Sequence, residues 1–441
     1  MTTASVDSPA LRYFGPRQGL DAPTERALLD RTTSTDPAVR DATAEILAAV
    51  RARGDAALRD FARTFDGVAL ERLEVPRAQW TAALDALAPA LRRAMERAAR
   101  NIAAVHRAFL PSVIEVSPEP GITIGRRPDP LARVGVYAPG GRAAYPSSVL
   151  MGAVPARVAG VGEVVVASPP GPDGRPAPVV LAAAALAEAD RVFAIGGAGA
   201  VGALAYGTAS VPRVDRIVGP GNAYVAEAKL QVSGFVSIDS PAGPSELLVI
   251  ADDRADAEVV AREMLGQAEH DPRASVVAVA QGQALANRVR DALRRLLPSQ
   301  ERRAIIDAAL AGQGAIVWVD DLDDAVAWSN AYAPEHLLLC VRDERLVLDG
   351  VRNAGTVFVG QTASVSFGDY MTGANHVLPT GGLARAYSGL STLDYFRWTT
   401  YQRVDRAAAG RLAADVDAFA QAERLPGHAA AARAWTSEAV A

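Results

Sequence analysis

Two periodicities divide the chain. Over 36–66 and 77–109 apolar residues recur at helical spacing, Val50, Leu58 and Phe61 among them, which predicts amphipathic helices. Pro37 suits the start of the first. From residue 133 the pattern changes. Short β-branched runs at Val134–Tyr137, Val164–Ala167, Val192–Ile195 and Arg216–Val218 alternate with Ala-rich stretches near 148–159, 178–188, 199–206 and 222–232. The alternation then repeats. Runs at Leu247–Ile250, Ser275–Ala280, Ile316–Val319, Leu337–Val341 and Thr356–Val359 are interleaved with helical segments near 255–269, 282–311 and 322–330. Repeated strand–helix units imply parallel sheets with helices on their faces, hence an α/β fold of two similar modules. A cleft between such modules is a natural ligand site. The last 50 or so residues read as mostly helical, broken at Pro426-Gly427, and are too few for an independent core.

Composition narrows the class. The 441 residues are 50% hydrophobic and 22% charged, with 45 basic and 50 acidic side chains and a net charge of −5. That is ordinary globular composition with no polybasic run, so neither nucleic acid nor an anionic membrane is an expected partner. No apolar stretch approaches the ~20 residues of a membrane span, and the amino-terminal residues do not resemble a signal peptide; a cytoplasmic protein is expected. A single cysteine, Cys340, excludes an intrachain disulfide framework and, in its apolar strand, reads as a buried structural thiol. Lys229 is the only lysine beside 44 arginines, which suggests a position where a compact ammonium fits and a planar guanidinium does not.

Several short patterns carry chemistry. Gly197-Ala198-Gly199-Ala200-Val201-Gly202 follows a strand and opens a helix, as a dinucleotide fingerprint does; in a chain rich in Gly and Ala, tight helix packing is the plainer reading. Gly219-Pro220-Gly221-Asn222 is a glycine-rich turn at a helix start, where free N–H groups can receive an anion. Gln267 and His270 share a helix face three residues apart, as metal ligands or as a polar helix end. Glu335-His336 opens an apolar strand, a carboxylate beside an imidazole that can move protons or pair as ions. Asp369 and His376 lie in a glycine-rich stretch, 367–382, read as a loop, and Glu423 and His428 flank Pro426-Gly427. His106 reads as a packing or surface residue. Gln, His, Asp and His together can bind Zn²⁺ through nitrogen and oxygen.

These residues fall into a known pattern. Val134-Gly135-Val136-Tyr137-Ala138-Pro139-Gly140-Gly141, GPGNAYVAEAK at 219–229, AGPSE at 242–246 and QAEHD at 267–271 come first. PEHL at 334–337, GDY at 368–370, NHVLPT at 375–380 and AERLPGH at 422–428 follow in order. Over about residues 30–435 the chain resembles the L-histidinol dehydrogenases, zinc enzymes that end histidine biosynthesis. The resemblance implies Zn²⁺ held by Gln267, His270, Asp369 and His428. It implies Glu335 and His336 as the catalytic acid–base pair. Ser245 and Glu423 match substrate contacts, a role shared by Gln267, His270, His336, Asp369 and His428. Tyr137 and Asn222 match NAD contacts. At Gly199 the family often has a glutamine that also meets NAD, and glycine cannot supply that side chain.

The fold so implied is two incomplete Rossmann-like modules and a carboxy-terminal extension that reaches a second subunit of a homodimer. The expected division is an amino-terminal segment, 1–30; a first module, 31–127 with 239–385; a second, 128–238; and the extension, 386–441. The implied reaction is the four-electron oxidation of L-histidinol to L-histidine through bound L-histidinal, with two NAD⁺. The alternatives are a zinc- and NAD-dependent dehydrogenase of another alcohol, such as a sulfonated diol, and a non-catalytic zinc-stabilised dimeric binding protein.

Overall fold

The computed structural model describes residues 10–31, 36–140 and 144–436; residues 1–9 of the expected amino-terminal segment and Gly141 of the first motif lie outside them. Two compact units form. Residues up to Phe109 join Ala132–Tyr395 in the first, and Leu110–Leu131 join the chain from Phe396 onward in the second.

The first unit is α/β and contains two parallel sheets. One has six strands, in spatial order Tyr13–Pro16, Gly314–Val319, Ser275–Gln281, Glu246–Ala251, His336–Cys340 and Thr356–Val359. The other has five, in the order Arg191–Ala194, Glu163–Ser168, Arg133–Tyr137, Arg216–Val218 and Ser237–Ile238. Every pairing in both is parallel. The six-stranded sheet is buried on both faces. Leu247, Val249, Val276 and Ala278 enter one apolar cluster, while Leu248, Ile250, Val277 and Val279 enter another. Continuous apolar runs, rather than alternating ones, are what a sheet covered by helices on both sides requires. At ~1.5–3 kcal/mol for each fully buried Val, Leu or Ile, these runs carry much of the first unit's stability.

The helical readings hold with breaks. The segment 36–66 is two helices, Pro37–Arg53 and Asp55–Phe65, hinged at Gly54 with φ +53°. The segment 77–109 divides into Arg77–Asp85 and Pro89–Ala108, with Pro89 starting the second. The segment 282–311 is interrupted by a short 3₁₀ turn at Leu297–Ser299. The second unit adds strands to the mostly helical reading of the last 50 or so residues. Phe396–Val404 is a strand, antiparallel to Ile122–Pro130, which also pairs with Ile114–Val116. Only then do the helices Arg406–Ala422 and Pro426–Arg433 follow. Phe396–Val404 buries no residue fully, so its sequence lacks the apolar alternation that marks a half-buried strand.

Candidate active site

A cavity of about 990 Å³ opens within the first unit. From the five-stranded sheet it receives the carboxyl ends of strands and the turns after them: Tyr137, Pro169, Gly197 and Asn222. From the six-stranded sheet it receives the opposite edge. Ser245 precedes one strand and Glu335 another, and Gln267 and His270 end a helix that returns to that edge. Parallel sheets ordinarily bind ligands at their carboxyl edge. Here one sheet obeys that rule, and the other presents its amino edge.

The amino edge holds a buried polar network. Helix Leu322–Tyr332 ends at Ala333, a left-handed cap with φ +53°, and the chain turns through Pro334 into Glu335. Glu335 Oε2 accepts the Glu246 N–H at 2.7 Å, and the Glu335 N–H donates to Glu246 Oε2 at 3.3 Å. His336 Nδ1 lies 2.9 Å from the Glu246 carbonyl oxygen and 3.3 Å from Glu335 Oε2. Its Nε2 is buried without a hydrogen-bond partner, 3.8 Å from Asp369 Oδ1. Arg31 closes the network from below. Its Nε and Nη2 reach the two Glu246 carboxylate oxygens at 2.8 and 3.2 Å, and Nη2 also reaches the Tyr332 carbonyl at 2.8 Å. Burial of the imidazolium is unfavourable, but the facing Glu335 carboxylate and then Asp369 more than offset it; His336 holds a proton more tightly than a free histidine. Burial lifts the Glu335 carboxyl above the usual carboxylate range, with the His336 charge opposing.

Gln267 is buried near the end of helix Ala257–Ala268, which Asp256 caps, and exposed His270 follows one turn on. Asp369 sits not in a loop but on a short helix, Val365–Tyr370. The irregular chain beyond it is pinned: His376 Nδ1 is 3.0 Å from the Asp369 carbonyl, and Asn375 Nδ2 donates to the Met151 carbonyl at 2.7 Å. Gln267, His270 and Asp369 thus line one cavity, and their nitrogen and oxygen atoms suit zinc. No group of three His, Cys, Asp or Glu suited to a metal occurs among the described residues; Gln267, His270 and Asp369 are three donors, one fewer than a tetrahedral zinc site takes.

On the other wall, the Gly197 N–H donates to the Tyr137 hydroxyl at 3.1 Å, and burial pushes that phenol up to about 12. The Asn222 carboxamide oxygen caps helix Ala223–Val232 through the Tyr224 and Val225 N–H groups, each at 3.1 Å. Gly199 does not line the cavity. It is buried in helix Gly197–Tyr206, and a Cβ there would meet Phe61 Cδ2 at 3.0 Å. Glu423 and His428 belong to the second unit and are exposed there, directly after and within its two helices. Cys340 is buried, and burial raises its thiol to about 12, as befits a structural residue.

Arg31 and Glu246 are the site residues that the sequence did not announce. Glu246 carried a signal, since it closes the AGPSE motif beside Ser245. Arg31 is one of 44 arginines and carried none.

The family model of histidinol dehydrogenase matches residues 29–435. The histidinol dehydrogenase of Methanosarcina mazei is 45% identical over 397 residues, covering 90% of this chain and 92% of that protein. That of Halobacterium salinarum is 49% identical over 411 residues, covering 93% of this chain and 96% of that protein. The crystal structure of histidinol dehydrogenase from Elizabethkingia anophelis, at 31% identity, superposes with a TM-score of 0.92 over 97% of this chain and 98% of that one. Matched by the family model over nearly its whole length, and 45% identical to a relative across 90% of its residues, the chain belongs to the histidinol dehydrogenase family.

Proposed function

We propose that this chain oxidises L-histidinol to L-histidine through bound L-histidinal, using NAD⁺ twice, as the last step of histidine biosynthesis. Family membership supports the substrate. The observation that carries the chemistry is His336, whose Nδ1 is tied to a main-chain carbonyl while its buried Nε2 stays unpartnered at the cavity.

A carbonyl oxygen can only accept, so in the neutral imidazole, the form that acts as base, the bond to Glu246 selects the tautomer with Nδ1 protonated and Nε2 bare. That Nε2 is the base for the alcohol proton as hydride leaves the carbinol carbon. The imidazolium so formed is the charge that Glu335 and Asp369 favour. Glu335 then draws a proton from water as it adds to the aldehyde, and the hydrate loses the second hydride. Over both steps the alcohol and one water give up two hydrides and three protons to leave a carboxylate.

Gln267, His270 and Asp369 would hold Zn²⁺, with His428 of the partner subunit as fourth donor, and the metal bound there would supply a Lewis-acid anchor for the substrate. NAD⁺ supplies the hydride acceptor, and Tyr137 and Asn222 stand on the wall proposed to receive it. Ser245 and, from the partner subunit, Glu423 complete the proposed substrate contacts. The homodimer is part of this proposal, as is a cytoplasmic location, in keeping with the absence among the described residues of any helix long and apolar enough to cross a membrane. Formation of NADH and L-histidine from L-histidinol by the purified protein tests the reading.

A further inference from the structure

The one lysine of this arginine-rich chain is buried. Lys229, 4% exposed, lies on helix Ala223–Val232. Its ammonium pairs with Asp239 Oδ1 and donates to the Gly219 carbonyl at 3.1 Å. Asp239 Oδ2 in turn accepts the N–H of the same Gly219 at 2.7 Å. A single ion pair therefore holds both main-chain polar groups of one residue. That residue must be glycine: its φ is +114°, and a Cβ would meet the Tyr137 carbonyl oxygen at 2.1 Å.

The residues directly after Gly219 are Pro220, Gly221 and Asn222, which line the cavity. Asn222 caps the helix that carries Lys229, so the contacts close a circuit. The turn starts the helix, the helix carries the lysine about two turns on, and the lysine returns to the turn. The scarcity of lysine then has a physical reason. A compact ammonium satisfies the Asp239 and Gly219 oxygens, whereas a guanidinium would bring additional N–H groups and a rigid plane into a closed site.

We propose that Lys229 and Asp239 are positioning residues for the dinucleotide: their buried pair fixes the Gly219–Asn222 wall without touching the ligand. The inference rests on the NAD-dependent reading above. The clamp acts on one wall only; the Glu246, Glu335 and His336 network on the other does not depend on it.

The test is calorimetric titration of NAD⁺, and separately of L-histidinol, into the full-length wild type, Lys229→Arg, and the double variant Lys229→Met with Asp239→Asn. The double variant removes both charges together and leaves no unpaired buried ion. Melting temperatures are taken on the same samples. Both variants are expected to bind NAD⁺ about tenfold more weakly and to raise its KM correspondingly, with L-histidinol affinity unchanged within about twofold. Wild-type NAD⁺ affinity in Lys229→Arg would overturn the requirement for an ammonium. Wild-type affinity in the double variant, which decides the matter if the arginine variant does not fold, would overturn the clamp. Equal weakening toward both ligands would reduce the pair to a general structural role and overturn positioning. Failure of the wild type itself to bind NAD⁺ would sink the functional reading, and this inference with it.

Discussion

His336 Nδ1 sits 2.9 Å from the main-chain carbonyl of Glu246, and that contact decides which face of the imidazole is chemically available. The Glu246 side chain secures the arrangement, and Arg31 secures Glu246 through a bidentate pair at 4% and 3% side-chain exposure. Breaking such a pair from one side strands a buried charge. Arg31→Gln is expected to cost about 3–5 kcal/mol in urea unfolding. Adding Glu246→Gln should recover most of that loss, because two amides of similar volume replace two ions. A double variant no more stable than the single one would show that Arg31 acts through something other than its charge.

Glu335→Gln separates the two oxidations. The amide keeps the shape and loses the basicity that hydration of the aldehyde needs. General-base loss costs ~10²–10⁴-fold at the step it serves, so the variant should release about one NADH per site quickly and a second far more slowly. Supplied L-histidinal should be slow from the outset. Equal slowing of both steps in single-turnover absorbance traces would assign Glu335 to holding His336 instead.

The Glu335-His336 pair, Tyr137 and Gln267 with His270 were legible in the sequence because strand ends and helix stops fix where such side chains emerge. The hydrogen bond from His336 to Glu246 was not, since it joins the amino ends of two strands 90 residues apart in the chain. Arg31 was hidden by number. The strand Phe396–Val404 was hidden by exposure, having no buried face to impose a period of two. The fingerprint at 197–202 was legible as a pattern, but its two readings divide between its glycines. Gly197 lines the cavity, while Gly199 packs against the helix of Phe61.

That packing sets the outcome of Gly199→Gln. A Cβ 3.0 Å from Phe61 and 3.5 Å from Leu58 enters a filled interface between two helices. Overpacking of this kind costs about 1–3 kcal/mol. The variant is expected to melt earlier and to show no gain in NAD⁺ affinity. A lower KM for NAD⁺ would mean that Phe61 yields and lets the glutamine reach the cofactor.

His106, far from this chemistry in the chain, gives a pH signature. It is 1% exposed, its Nδ1 accepts the Thr392 N–H at 3.2 Å, and the Phe109 ring stands edge-on 5.9 Å away. Burial depresses it to about 4 from 6.5. Between those values the unfolded chain binds the extra proton, so this residue's contribution to stability falls as pH drops through that window. His106→Gln has no such proton to lose. Its stability deficit relative to wild type, measured by urea unfolding, should be larger at about pH 7.5 than at about pH 4.5. A deficit independent of pH would place the proton elsewhere.

Stoichiometry decides whether one site carries out a four-electron oxidation. Zinc-loaded protein is given limiting L-histidinol and excess NAD⁺, and NADH and L-histidine are counted at completion. Two NADH and one L-histidine are expected for each L-histidinol, with no free aldehyde trapped by semicarbazide. One NADH with released L-histidinal, or no turnover of L-histidinol beside ready oxidation of a sulfonated diol, would contradict a four-electron oxidation of L-histidinol.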